Sequence, residues 1–390
     1  MSRRKKQNYP LIEALEITTL AAEGKAMGRY NDQVVFVPMT VPGDVVDVQI
    51  RNKRRRFMEG VVVNYVKQSA LREKPFCEHF GVCGGCKWQN LPYEEQLRFK
   101  TEQVHDQLSR IGKIALPEVR PCLGSAKQMF YRNKLEFTFA DKRWLTYEEI
   151  AAGGDIEREP ALGFHIPNCF DKVLDIDVCY LQAEPSNSIR AAIKQFCIEQ
   201  GYSFHNCREH QGLMRNIIIR TASTGEVMVI VVFNEDAREA ITSVMEMLKE
   251  KFPQITSLFY VVNTKWNDSV GDLAHICYAG KDHIVEQMEG LQFKVGPKSF
   301  YQTNSEQAYE LYKVARDFAD LKGDEVLYDL YTGTGTIANF CARRAKKVVG
   351  VEYVPEAIED AKINSSINGI ENTSFYAGDM KDVLSDKFVE

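Results

Sequence analysis

The sequence predicts a multidomain fold with a small N-terminal β-barrel, a central α+β domain and a C-terminal α/β domain of the Rossmann-like type, incomplete in this chain. Three observations predict it. Short β-type runs fill the first part, a cysteine cluster opens the second, and the third shows a strand, a glycine loop, a helix and a strand. At 390 residues the chain is long enough for two or three domains. We place them at residues 1–68, 69–290 and 291–390.

The N-terminal part alternates apolar β-type runs with turns. The clearest runs are residues 33–38, 45–50 and 60–66, and Pro42, Gly43 and Asp44 mark a turn between the first two. Several short strands at this spacing are typical of a small closed barrel.

A basic segment, RNKRRR at residues 51–56, lies between two of these runs and is followed by Phe57. The first 60 residues hold 11 Lys and Arg against 7 Asp and Glu, a net charge of +4, while the whole chain has −5. The segment is either a solvated hairpin tip or a contact to a nucleic-acid backbone, and the barrel and the aromatic neighbour favour the contact. The charge asymmetry indicates a local anionic partner.

Cys77, Cys83 and Cys86 follow a Cys-x5-Cys-x2-Cys spacing, with glycines at positions 81, 84 and 85. Three thiols in ten residues suit a thiolate-bound metal centre, and the spacing favours iron–sulfur. Zinc, with His79 as a ligand, and a chance cluster remain open, although zinc sites usually show two separated Cys-x2-Cys pairs. The other seven cysteines are scattered, so spacing does not choose a fourth ligand.

The central part has strands with longer connections, which predicts an α+β domain. The predicted strands are residues 134–139, 161–166, 172–181, 214–222, 226–233 and 257–263, and the predicted helices are residues 188–200 and 237–250. We derive no chemistry from the spacing of residues in this part.

The C-terminal part contains the pattern of a cofactor-binding crevice. After SFYQTN at residues 299–304, a helix is predicted with Ala308, Leu311, Tyr312, Ala315 and Phe318 on one apolar face. A short strand then leads to Gly333 and Gly335, a second strand ends at Glu352, and a third ends at Gly378 and Asp379. The glycines permit close approach of a ligand, and the carboxylate is placed for a ribose diol, so the loop alone is compatible with NAD.

Composition excludes some classes of protein. The apolar fraction of 44% is that of a globular protein. No apolar run of about 18 residues occurs, so we expect no membrane span and a cytoplasmic location. In that compartment ten cysteines are free thiols or metal ligands rather than a disulfide framework.

Four features in fixed order resemble a known family: the barrel, the cysteine cluster, SFYQTN, and DLYTGTGT at residues 329–336. The barrel resembles the TRAM domain, an OB-like RNA-binding barrel. The whole chain resembles the RNA (uracil-5)-methyltransferases that carry an iron–sulfur cluster, and among them the 23S ribosomal RNA enzymes. This resemblance implies that RNA, most closely 23S ribosomal RNA, is the partner.

The resemblance implies S-adenosyl-L-methionine rather than NAD in the crevice. Positions that match the family's cofactor-binding residues are Gln302, Tyr331, Gly333, Gly335, Thr336, Glu352 and Asp379. Glu352 matches the ribose carboxylate, and Asp379 matches the residue near the adenine. The resemblance also implies a [4Fe–4S] cluster held by Cys77, Cys83, Cys86 and Cys179, with Cys169 as the second choice for the distant ligand.

The family's chemistry requires a cysteine that adds to C6 of uracil and a general base. The resemblance places this Cys and a Glu beyond Glu390, so no residue here is expected to be catalytic and the chain alone is expected to be inactive. We interpret Cys341 as a buried thiol in a helix. The predicted function is methylation of C5 of a uridine in 23S ribosomal RNA. The alternatives are a non-catalytic RNA-binding or ribosome-assembly factor and, more weakly, an NAD-linked oxidoreductase.

Overall fold

The computed structural model describes residues 9–154 and 156–385, and the chain folds as two compact units. The N-terminal unit comprises residues 1–124 and 166–168, and the C-terminal unit comprises residues 125–165 and 169–390. These limits differ from the predicted ones. The cysteine cluster belongs to the N-terminal unit, and the C-terminal unit holds most of the central part from residue 125 onward together with the glycine loop.

A closed five-stranded barrel forms the core of the N-terminal unit, as predicted. Its strands are β1 Leu11–Leu20, β2 Lys25–Tyr30, β3 Gln33–Pro38, β4 Val45–Lys53 and β5 Phe57–Lys67, in the order β1-β2-β3-β5-β4. Pairing of β1 with β4 closes the barrel. Alternate residues of β4, namely Val46, Val48 and Ile50, are buried in the hydrophobic core of the barrel.

The sequence analysis did not identify β1, because its side-chain alternation is interrupted. The pairing with β4 changes register between Ile12 and Leu15, and Ala14 between them has a φ of 51°. Such a bulge shifts the face to which later side chains point, so the two-residue period of buried residues is lost.

One helix packs on the barrel and explains why the N-terminal unit extends past residue 68. Helix α1, Tyr93–Asp106, continues into a π-helical turn at Gln107–Ile111. Leu91 and Phe99 are buried in the same hydrophobic cluster as the barrel strands. The segment after the barrel therefore shares the barrel's core.

The C-terminal unit begins with a seven-stranded sheet. Its strands are β6 Lys134–Ala140, β7 Ala161–His165, β8 Val173–Asp175, β9 Met214–Thr221, β10 Val227–Phe233, β11 Ile255–Val262 and β12 Ile276–Gly280, in the order β12-β11-β10-β9-β6-β7-β8. The helices are α2 Tyr147–Ala152, α3 Ser186–Glu199 and α4 Arg238–Lys251. Every residue of β10 is buried, as expected for a central strand.

A hairpin, a helix and a small parallel sheet complete this unit. The hairpin is β13 Ile284–Met288 with β14 Leu291–Val295, and α5 Ser305–Ala319 follows. The parallel sheet is β15 Val326–Leu330, β16 Lys347–Glu352 and β17 Thr373–Ala377, with helices α6 Thr336–Ala342, α7 Pro355–Ile367 and α8 Met380–Val383. Two consecutive crossover units therefore form, as the sequence predicted.

A single hydrophobic cluster joins the two sheets of the C-terminal unit. It includes Ile230 of the large sheet, Phe293 of the hairpin, Tyr312 of α5 and Val348 of the parallel sheet. The chain therefore has no break in packing at the predicted limit between residues 290 and 291.

The predicted apolar face of α5 is partly wrong. Ala308 and Tyr312 are buried, but Leu311 and Phe318 are 55% and 73% exposed. Arg316 is buried in their place, and its guanidinium forms a bidentate ion pair with Glu289 of the hairpin turn. A helix period alone does not reveal a buried cation, because the partner carboxylate comes from another part of the chain.

The edge strand β15 exposes Val326, Tyr328 and Leu330, each by 39–46%. The predicted incompleteness of this domain stays a prediction. Within the described residues, no helix has the length and apolar character needed to cross a membrane.

Candidate cofactor-binding site and cysteine cluster

The loop between β15 and α6 has an unusual backbone. Tyr331, Gly333 and Gly335 have φ values of 64°, 56° and 73°, in the left-handed region that favours glycine. A Cβ at Gly335 would lie 2.8 Å from the Cβ of Ala361 on α7, so glycine there also permits the two helices to pack. A Cβ at Gly333 would meet nothing within 4 Å, so that side of the loop is open to a ligand.

Asp329, near the end of β15, stabilises the glycine loop by hydrogen bonds. Its Oδ2 atom accepts hydrogen bonds from the Thr332 hydroxyl at 2.7 Å and from the Ala338 backbone N–H at 3.0 Å. Burial raises the pKa of Asp329, and these two hydrogen bonds oppose the rise. The sequence analysis missed this residue, although its position three residues before Thr332 is typical of a turn-stabilising carboxylate.

Two buried amides, one on α6 and one on α7, hold the loop. Asn364 donates a hydrogen bond to the Thr334 carbonyl at 2.9 Å, and Asn339 donates one to the Gly335 carbonyl at 2.8 Å. Both amides are fully buried. Asn364 pairs the Thr334 carbonyl, and the Asn339 amide adds to the hydrogen bond that the Gly335 carbonyl already accepts from the Asn339 backbone N–H at 2.9 Å, so both amides fix the loop before a ligand arrives.

Glu352, at the end of β16, is a second carboxylate that contacts the glycine loop. Its Oε2 atom accepts a hydrogen bond from the Gly333 N–H at 3.2 Å, and its Oε1 atom accepts one from the Val354 N–H at 3.0 Å. Parallel pairing of β15 with β16 brings the loop and the carboxylate to the same sheet edge. An ionised carboxylate has about four acceptor positions, so two remain for ribose hydroxyls.

Asp379 lies at the same sheet edge. The preceding N–H, that of Gly378, donates a hydrogen bond to the Glu352 carbonyl at 2.8 Å. The Asp379 carboxylate caps α8 by accepting from the Lys381 N–H at 3.1 Å. Glu352, Gly333 and Asp379 are therefore close neighbours, as the topology predicts.

For the three remaining predicted cofactor residues, the structure gives only their exposure or a single contact. Tyr331 is 73% exposed beside the loop. Thr336 is buried, and its hydroxyl lies 3.3 Å from that of Thr334. Gln302 precedes α5, and its carbonyl accepts a hydrogen bond at 2.8 Å from Asn133, at the start of the large sheet. Cofactor contacts by these residues stay predictions.

Cys77, Cys83 and Cys86 lie in a segment of turns in the N-terminal unit. The Gly85 N–H donates a hydrogen bond to the Cys83 sulfur at 3.4 Å, and the Cys83 N–H donates to the His79 carbonyl at 2.9 Å. Burial raises the pKa of Cys83, and the nearby Cys86 and Cys77 thiols raise it further. Three thiols on one segment, two of which influence the charge of the third, with a backbone N–H directed at one sulfur, fit the thiolate side of an iron–sulfur site.

The fourth predicted ligand, Cys179, belongs to the C-terminal unit. It is buried and follows the short strand β8, which ends at Asp175. Asn187 of α3 fixes its backbone: the amide Oδ1 accepts from the Cys179 N–H at 2.8 Å, and Nδ2 donates to its carbonyl at 3.1 Å. Cys169 is half-buried. The ligand set stays a prediction.

Cys341 is a buried thiol, as predicted. It is 2% exposed within α6, and burial raises its pKa to about 11. A thiol with this pKa is almost fully protonated near neutral pH, so it is unsuited to nucleophilic addition.

Two family models match the chain. The TRAM domain matches residues 13–63, which cover most of the barrel, and a methyltransferase domain matches residues 321–390, which contain the glycine loop and Glu352. The methyltransferase match identifies S-adenosyl-L-methionine as the cofactor of this fold, rather than NAD. The open space beside Gly333 and the two acceptor positions of Glu352 that remain for ribose hydroxyls are compatible with this cofactor.

Relatives match nearly the whole chain. An RNA methyltransferase of Bacteroides thetaiotaomicron is 58% identical over 95% of this chain and 82% of its own length. One from Porphyromonas gingivalis is 56% identical over 96% of this chain and 82% of its own length.

A solved structure matches most of the chain. It is the tRNA (uracil-54, C5)-methyltransferase of Pyrococcus abyssi in complex with S-adenosyl-L-homocysteine. It superposes with a TM-score of 0.69 and 25% identity over 94% of this chain and 80% of that chain. Neither this likeness nor the relatives support the expected inactivity of the chain. From its TRAM and methyltransferase domains and its close relatives, we conclude that this chain belongs to the RNA methyltransferase family.

Proposed function

We propose that this protein methylates C5 of a uridine in RNA, with S-adenosyl-L-methionine as the methyl donor. The observation that carries the proposal is the likeness to the uracil C5-methyltransferase of Pyrococcus abyssi, which extends over 94% of this chain. A likeness of this extent includes the barrel, the large sheet and the glycine-loop sheet together, and not only the widespread cofactor-binding fold.

The glycine loop and the adjoining strand ends would hold the cofactor. Glu352 would accept hydrogen bonds from the ribose hydroxyls, and Asp379 would lie near the adenine. Gln302, Tyr331, Gly333, Gly335 and Thr336 would complete the contacts. The cofactor supplies an activated methyl group on a sulfonium. The buried hydrogen bonds of Asp329, Asn339 and Asn364 support this role, since they fix the loop without using its open side.

C5 of uracil is a poor nucleophile, and the proposed covalent route overcomes this. A cysteine thiolate adds to C6, which makes C5 an enolate carbon that can take the methyl group. A base then removes the C5 proton, and the thiolate leaves to restore the ring. We assign neither the thiolate nor the base to a residue of this chain. The burial of Cys341 removes it as a candidate.

The three clustered thiols and Cys179 would hold a [4Fe–4S] cluster. Methyl transfer by this route needs no electron, so we propose that the cluster stabilises the fold or positions RNA. Its presence is measurable directly from iron and sulfide content and from visible absorption.

The proposed target is 23S ribosomal RNA, and the basic segment 51–56 is a proposed contact. Arg54, Arg55 and Arg56 are exposed at the turn between β4 and β5. Phe57 packs edge-on against Phe36, with ring centroids 5.7 Å apart. An exposed cationic turn on a rigid barrel suits phosphate contacts, which position RNA without reading its sequence.

The test is a methyl-transfer assay with labelled S-adenosyl-L-methionine and unmodified 23S ribosomal RNA or transfer RNA. We expect 5-methyluridine on nucleoside mass spectrometry, with 23S RNA as the better substrate. A methyl group on another atom would refute the uracil assignment, and preference for transfer RNA would refute the target. RNA binding without methyl transfer or S-adenosyl-L-homocysteine binding would favour the non-catalytic role.

A further inference from the structure

A cavity, separate from the glycine loop, lies in the C-terminal unit. Its volume is about 140 Å³. It lies beside the large sheet, between the end of β6, the start of β9 and the segment 205–208. Its walls include Phe139, Trp144, His165, His205 and Arg215. A single water needs only about 10–15 Å³ of such volume, so there is room for a larger ligand.

Buried polar groups in the cavity wall lack hydrogen-bond partners. His205 is 5% exposed, and neither of its ring nitrogens makes a hydrogen bond, although the Gly212 peptide approaches the ring. The Nδ1 atom of His165 is also buried without a partner. Arg215 is 1% exposed and leaves its Nε atom unpaired, although its other nitrogens bind Asp268 and backbone carbonyls. Unpaired buried groups of this kind cost stability unless a ligand or water satisfies them.

The side chains around the cavity carry excess positive charge. Six cations line it, namely Lys142, Arg143, Arg158, Lys172, Arg208 and Arg215, against the three carboxylates Asp141, Asp171 and Asp268. Arg143 pairs with Glu149, and Arg208 and Lys172 share Asp171. Among the described residues, Lys142 and Arg158 have no ion-pair partner. These two cations are therefore available to an anion.

The chemistry of the wall matches that of a nucleotide. Burial and the Arg215 charge lower the pKa of His205, so its ring is neutral near pH 7 and offers one donor and one acceptor. The edge of a nucleobase offers a complementary hydrogen-bond donor and acceptor, and the Trp144 ring provides an aromatic surface on which a base can stack. A phosphate needs cations, which Lys142 and Arg158 supply.

We propose that this cavity binds a nucleotide of the substrate RNA, with the base at His205 and the phosphate at Lys142 and Arg158. The inference rests on the proposed function, since an RNA methyltransferase must hold RNA away from the modified base. It adds a contact that neither the glycine loop nor the basic segment of the barrel provides.

The first experiment measures binding of a fluorescein-labelled, uridine-containing hairpin RNA by anisotropy over a range of salt concentrations. R158Q and K142Q should each weaken binding about three- to tenfold and reduce the salt slope by about one. K251Q is the matched control. It removes the same charge from the exposed end of α4, away from the cavity, and should leave binding unchanged.

A further variant, H205F, keeps an aromatic ring but removes both ring nitrogens. Its RNA affinity should fall about tenfold, while its thermal midpoint should not fall, because an unsatisfied buried polar group is removed. A lower midpoint with unchanged affinity would show that His205 has a structural role only.

The rate at which maleimide modifies a cysteine, measured with and without RNA, tests the proposal without any substitution. Cys207 lines the cavity, whereas Cys277 is exposed on the edge strand β12. Saturating hairpin RNA should slow maleimide modification of Cys207 and leave Cys277 unchanged, as measured by peptide mass spectrometry. Equal modification of Cys207 with and without bound RNA would overturn the proposal.

The outcomes separate this inference from the proposed function. If the wild-type protein binds RNA and S-adenosyl-L-homocysteine but R158Q, K142Q and H205F behave like K251Q, only the cavity inference is refuted. If the wild-type protein binds neither, the proposed function fails, and the cavity inference fails with it.

Discussion

Replacement of Glu352 by Gln tests the glycine-loop site most directly. The carboxylate accepts two backbone hydrogen bonds, one per oxygen, from Gly333 and Val354. Gln has the same shape but only one oxygen, so its NH₂ group must face one of these N–H donors. E352Q therefore loses one hydrogen bond to a charged acceptor and leaves the N–H of either Gly333 or Val354 unpaired.

The size of the effect follows from these contacts. A hydrogen bond to a charged group contributes about 1.5–3 kcal/mol, and the lower end applies because Glu352 is only half-buried. About 1.4 kcal/mol corresponds to a tenfold change in affinity. The lost loop contact should weaken S-adenosyl-L-homocysteine binding about tenfold, and loss of a ribose hydrogen bond should extend this to about 100-fold.

The assay is calorimetric titration of S-adenosyl-L-homocysteine into the wild-type protein and the variant. E356Q is the matched control, because it makes the same chemical change at an exposed position in the first turn of α7. E356Q should bind like the wild-type protein. If E352Q also bound within about threefold of the wild type, Glu352 would not hold the ribose.

The glycine loop and the cysteine cluster lead to three further predictions. G335A should destabilise the protein by about 1–3 kcal/mol in denaturant unfolding, because position 335 has a positive φ and a Cβ there would contact Ala361. G333A should destabilise the protein less, because a Cβ at position 333 has open space around it. Equal losses of stability in the two variants would contradict the packing argument. Since the pKa of Asp329 is raised above 3.8, its contribution to the free energy of unfolding should fall as pH rises from 3.8 towards that pKa. D329N keeps both hydrogen bonds through its amide oxygen and should remove this contribution, so the difference in free energy of unfolding between wild type and D329N should change with pH in that range. A difference that does not change with pH would contradict the raised pKa. C83S should lower iron and sulfide content and the visible absorption of the purified protein, whereas wild-type iron content would remove Cys83 from the ligand set.

Some of the fold could be predicted because its information is local. The strand, glycine loop and helix of residues 326–342 follow from a short apolar run, two glycines and a helical segment that are consecutive in sequence. Parallel connection then brings Glu352 and Asp379 to the loop, so the sequence also predicted which side chains share the sheet edge. The closed barrel was predicted for the same reason, although the bulge near Ala14 hid its first strand.

By itself, the sequence determined the barrel, the order of the glycine-loop elements and the position of Glu352 at the sheet edge beside the loop. Only the tertiary structure decided that Arg316 rather than Phe318 is buried on α5, and that Asn364 supports the loop. Only it assembled the cavity at His205 from segments between residues 138 and 268. The physical reason is that periodicity reports which face of an element is apolar, whereas a buried polar group depends on partners that are distant in the chain.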